Sequence, residues 1–78
     1  MARLVLLGPA HDAAGTKNDV FDARSLGAVL DEAVERYGPA FRDILSVSLL
    51  WVNGEPAEVD RSVDDNDVVT VLPPVSGG

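Results

Sequence analysis

Apolar and polar positions along the chain alternate in register with short strands and one helix. Residues 3–8, Arg3-Leu4-Val5-Leu6-Leu7-Gly8, form an apolar run of the kind expected of a central strand covered on both faces, and Gly8-Pro9 stops it. From Ala10 to Asn18 there is no clear period, which suits a loop or a helical turn leading to a short strand at 20–23. From Leu26 the apolar residues Leu26, Val29, Leu30, Ala33, Val34 and Tyr37 follow helical spacing, while Asp31, Glu32, Glu35 and Arg36 fall on the opposite side. Ser25 is placed to cap this amphipathic helix by accepting a backbone N–H, and Gly38-Pro39 ends it.

The second half reads as sheet. Residues 47–52, Val47-Ser48-Leu49-Leu50-Trp51-Val52, run into Asn53-Gly54, a pair that accepts the positive φ angles of a tight hairpin. The return arm, 55–59, contains Pro56, which cannot donate to a ladder, so a short edge strand is expected. Asp64-Asp65-Asn66-Asp67 marks a polar turn before the last strand, 68–72. The order of elements implies an α+β fold: a mixed sheet of four or five strands with one main helix packed across it. The first and last strands, being the most apolar, should lie side by side in its centre, and their connection through the helix allows them to be parallel.

Composition narrows the function classes. Seventy-eight residues with a hydrophobic fraction of 46% suit one domain, here residues 1–72, with 73–78 as a tail. The absence of cysteine excludes disulfides, thiolate metal centres and a cysteine nucleophile. Thirteen acidic against six basic residues give a net charge of -7, which disfavours nucleic acid and anionic membranes and suits a basic partner surface. With no long apolar run and no signal-like start, a cytoplasmic protein is expected.

The body offers no conventional active site. His11 stands alone in a loop beside Asp12, and 64–67 lacks the alternate spacing and distal glutamate of a calcium loop. Neither Gly8 nor Gly15 belongs to a phosphate-binding motif, and Tyr37 and Trp51 fall where core packing is the expected role. No catalytic residue and no metal ligand is assigned.

The ending Pro73-Pro74-Val75-Ser76-Gly77-Gly78 is different. Proline disfavours further sheet pairing and stiffens the chain, while glycines pass through a narrow channel without side-chain clash. Six extended residues at about 3.3 Å each span roughly 20 Å, enough to enter a partner's active site. A Gly-Gly ending alone is equally compatible with a frayed terminus; the prolines and the strand before it favour a presented tail.

The stretch Val71-Leu72-Pro73-Pro74-Val75-Ser76-Gly77-Gly78 resembles the C-terminal signature of the MoaD/ThiS family of sulfur carriers. Val52-Asn53-Gly54 resembles the family's hairpin and 64–68 its acidic turn, although Asn66 stands where many relatives have glycine and 10–20 matches loosely. The resemblance implies a β-grasp, or ubiquitin-like, fold. It also implies that a ubiquitin-activating-type enzyme adenylates the Gly78 carboxylate with ATP and Mg²⁺. A persulfide donor then converts the terminus to a thiocarboxylate, and a biosynthetic enzyme such as a molybdopterin synthase large subunit accepts the sulfur. Pro73, Pro74, Val75, Ser76 and Gly77 would be the tail's recognition residues. Thiamine, cysteine, thiolated-tRNA and natural-product pathways stay open. So do two other readings: conjugation through Gly78 to target lysines, and a passive interaction module.

Overall fold

A computed structural model describes residues 1–74. Five strands, β1 (Ala2–Leu6), β2 (Asn18–Phe21), β3 (Leu49–Val52), β4 (Glu55–Pro56) and β5 (Val68–Leu72), form one sheet in the order β2-β1-β5-β3-β4. β1 and β5 are neighbours, as their apolar character implies, and run parallel, as the crossover through the helix allows; every other pairing is antiparallel. Three helices, α1 (Pro9–Ala14), α2 (Leu26–Tyr37) and α3 (Pro39–Leu45), complete the described chain.

The sheet is covered on one face only. Along β1 Ala2, Leu4 and Leu6 are buried while Arg3 is exposed and Val5 half-buried, and β5 buries Val69 and Val71. These residues meet Val29, Leu30 and Ala33 of α2 and Phe41 of α3 in a single core. The expectation that β1 is covered on both faces is therefore corrected: an apolar run can also mean one buried face beside an apolar surface.

α2 begins where the cap predicts. Ser25 Oγ accepts the Ala28 N–H at 3.1 Å, and the Leu26 and Gly27 N–H groups donate to the carbonyls of Arg61 and Val59, each at 2.8 Å. The exposed donors of the helix start are thus satisfied by the 57–63 loop. A Cβ on residue 27 would lie 3.1 Å from the Val59 oxygen, so glycine permits this close approach. At the other end Gly38, at φ 99°, turns the chain so that Pro39 opens α3.

α3 is an element the expected order lacks, because Gly38-Pro39 reads only as a stop. Proline at a first helical position is also a start, and Phe41, Ile44 and Leu45 carry helical spacing, with Phe41 fully buried. Other boundaries shift as well. Residues 9–14 are helical, which places His11 on α1 and exposed. β2 lies two residues before 20–23, β3 begins at Leu49 after a turn, and β4 is two residues long.

The hairpin and the acidic turn lock together. Asn53 and Gly54 take φ 53° and 84°. Asn53 Nδ2 donates to Asp67 Oδ1 at 2.8 Å, and Asn53 Oδ1 accepts the Val68 N–H at 2.9 Å. Asp67 Oδ2 accepts the Asp64 N–H at 2.8 Å. The bond from Asn53, then that from Asp64, holds the Asp67 carboxyl below the usual aspartate range.

Candidate partner-docking site

β5 delivers the chain to its last described residues. Its inward alternation, Val69 then Val71, continues one residue past the strand to Pro73, which is buried, whereas Pro74 is exposed. Among the described residues Pro73 is the last buried position. A buried Pro73 orients the exit and presents little surface to a partner. Val75, Ser76, Gly77 and Gly78, where the expected recognition and reaction sites fall, lie outside the described residues.

Around the exit is the uncovered face of the sheet. The pairings Val5–Thr70, Thr70–Trp51 and Trp51–Pro56 put these residues in one row across four strands. Neighbouring strands lie about 4.8 Å apart, so Val5 to Trp51 spans about 10 Å. In the next row towards the tail, Leu49 stands opposite Leu72, and it is 60% exposed. Val47, two residues earlier, is 64% exposed. Trp51 is half-buried on this face, so its expected place in the core is corrected. Tyr37 does pack against the core, edge-on to Phe21 and Phe41 with centroids 6.4 and 5.2 Å away.

The uncovered face carries little of the charge. Strand alternation places Arg3, Val5, Asn18, Val20, Leu49, Trp51, Val68, Thr70 and Leu72 on the uncovered face, with Arg3 the one charged residue among them. Six of the thirteen acids lie on the outer side of α2, at Asp31, Glu32 and Glu35, and in the turn containing Asp64, Asp65 and Asp67 at the far end of β5. The face beside the tail is therefore apolar, and a partner gripping the tail there would meet Trp51, Leu49 and Leu72 before any acid. Sequence patterning missed this surface because Leu49 and Trp51 sit in a run whose other members are buried. The signal was the period of two, Leu50 and Val52 inward against Leu49 and Trp51 outward.

Among the described residues no group of three or more histidine or acidic side chains is placed to hold a metal ion. No described helix is long and apolar enough to cross a membrane. The arrangement suits presentation: a five-stranded sheet, an uncovered apolar face, and a central strand that leads directly to Pro73 and Pro74.

Comparison with known proteins agrees with this architecture. The sequence model of the ThiS family matches residues 4–78. A search of curated protein sequences finds no match. Among solved structures, SAMP1 from Haloferax volcanii is similar at 25% identity and TM-score 0.83, over 99% of this chain and 98% of that one. The small archaeal modifier protein 1 from Methanosarcina acetivorans is similar at 22% identity and TM-score 0.87, over 99% and 95%. A chain of the complex of subunits 1 and 2 of molybdopterin-converting factor from Helicobacter pylori is similar at 25% identity and TM-score 0.70, over 99% and 97%. These likenesses establish the ubiquitin-like β-grasp fold.

Proposed function

This chain belongs to the ThiS family, and from that premise we propose that it is a sulfur carrier whose reactive group is the Gly78 carboxylate. The observation that carries the reading is the family match running through residue 78, so that it includes the Pro73-Pro74 and Gly77-Gly78 ending. The uncovered apolar face beside the exit of β5 supports it.

The chemistry divides between carrier and partners. A carboxylate is a poor electrophile, so a ubiquitin-activating-type enzyme joins the Gly78 oxygen to the α-phosphorus of ATP, with Mg²⁺ on the phosphates, and releases pyrophosphate. The terminal sulfur of a donor persulfide then attacks the acyl carbon and displaces AMP. A thiol attacks the donor-side sulfur of the resulting acyl disulfide, forms a disulfide with the donor and releases the thiocarboxylate on Gly78. An accepting enzyme takes the sulfur, a molybdopterin synthase large subunit being the favoured class. The carrier's own contribution is positioning. Trp51, Leu49 and Leu72 dock, Pro73 fixes the exit direction, and Pro74, Val75, Ser76 and Gly77 feed the terminus into the partner's site.

A second reading, a protein modifier, is favoured by the likeness to archaeal proteins described as small modifiers. It shares the adenylation step and ends instead in an amide with a target lysine. ATP–pyrophosphate exchange with a candidate activating enzyme tests the shared step. Exchange should depend on this protein and disappear when Gly78 is deleted. Exchange unaffected by the deletion would refute a reactive Gly78, and ATP-dependent high-mass conjugates without sulfur transfer would favour the modifier.

A further inference from the structure

The two edges of the sheet differ. β4 is two residues long and contains a proline, which blunts it. β2 is longer, and its outward Val20 is 45% exposed. The Leu6 N–H donates to the Lys17 carbonyl at 2.8 Å, and Leu4 pairs with Asp19 and Ala2 with Phe21. Residues 17, 19 and 21 therefore turn their backbone groups towards β1, and Asn18 and Val20 turn theirs away from the sheet.

Three of those four outward groups, both of Val20 and the Asn18 carbonyl, are met by side chains of the same chain. The Val20 N–H donates to Asp19 Oδ1 at 2.9 Å. The Val20 carbonyl accepts from Arg36 Nη1 at 3.3 Å, and the Asn18 carbonyl accepts from Thr16 Oγ1 at 3.0 Å. The capping groups are themselves fixed. Arg36 Nη1 lies 2.9 Å from Asp19 Oδ2, and its guanidinium carbon sits 4.1 Å from the centre of the Phe21 ring. Tyr37 Oη donates to the same Asp19 oxygen at 2.7 Å. Two consecutive residues at the end of α2 thus hold one carboxylate against the edge strand.

We propose that the β2 edge is a latent pairing surface for a second copy of this chain, held closed by Asp19, Arg36 and Tyr37. Under a two-fold axis near Asp19, Val20 of one copy would face Asn18 of the other, so the same outward groups serve both sides. Two five-stranded sheets would join into one of ten strands, and Val20 would be covered. An open edge supports this kind of strand addition. The clamp supplies the Val20 groups with internal partners and so directs association to the uncovered face and the tail. The inference stands independently of the sulfur chemistry.

Sedimentation of the full chain and of Asp19→Ala/Arg36→Met over a wide concentration range tests it. Methionine keeps an apolar cover over Phe21 while removing both guanidinium contacts. Wild type should remain monomeric, and the double variant should self-associate tighter by about tenfold or more. The Val20 amide should then gain concentration-dependent protection from hydrogen exchange, which a general loosening would not produce. Adding Val20→Pro should restore the monomer. A folded double variant that is as monomeric as wild type, or a wild type that already dimerises through β2, would overturn the proposal. If the double variant does not fold, Arg36→Met alone decides by the same Val20 readout, with unchanged protection at all concentrations as the contrary result.

Discussion

Asn53 joins the hairpin to the strand that carries the tail, and replacing it separates backbone from side-chain effects. Asn53→Ala leaves an alanine at φ 53° and removes the bonds to the Val68 N–H and the Asp67 carboxylate. A left-handed conformation without a compensating side chain costs about 1 kcal/mol. Loss of the bond to the Val68 amide costs about 1 kcal/mol more. Asp67 is half-buried, and its carboxylate keeps the bond from the Asp64 N–H, so loss of the Asn53 bond to it adds little. The sum, about 2 kcal/mol, is a large share of the roughly 4 to 12 kcal/mol expected for a domain of this length. Asn53→Gly relieves the backbone part and should lose about 1 kcal/mol. Urea unfolding followed by Trp51 fluorescence measures both, and the alanine variant's Tm should fall by roughly 10 °C. An alanine variant as stable as wild type, or a glycine variant as damaged as alanine, would refute the reasoning.

Two further predictions follow from the uncovered face and from the clamped carboxylate. Leu49→Ser and Trp51→Ser should change unfolding midpoints little, because neither side chain belongs to the core, yet weaken binding to a tail-gripping partner by about tenfold or more, as hot-spot truncations do; calorimetric titration with that partner checks this. The bond from Tyr37, with Arg36 contributing, lowers the Asp19 carboxyl below the usual range, and burial, with Asp19 beside it, raises the Tyr37 phenol above its own. A lowered carboxyl contributes stability above the unfolded-state value near 4 and loses it as the pH falls through the lowered value; a raised phenol contributes below about 10 and loses it as the pH rises beyond. Asp19→Asn should therefore flatten the acid side of the stability–pH curve, and Tyr37→Phe the alkaline side.

The sequence was informative wherever one residue admits one local solution. Ser25 caps α2, Asn53-Gly54 makes the hairpin, and β1 and β5 lie parallel at the centre. It was less informative where one signal serves two purposes. Pro39 both ends α2 and starts α3, and the apolar run around Leu49 and Trp51 contains core and surface in alternation. The clamp was hidden for a different reason: Asp19 and Arg36 are ordinary polar residues until the fold brings strand and helix end together. Of the site, the last strand that leads to the two prolines was readable. The apolar face beside them required the sheet register.

Gly78 as the reactive group is the central claim, and intact mass of the chain tests it most directly. After incubation with an activating enzyme, ATP, Mg²⁺ and a persulfide donor, the mass should change by exchange of one oxygen for one sulfur, located by fragmentation at Gly78. Efficient activation with no sulfur at the terminus, or a mass change that persists when Gly78 is deleted, would contradict the account.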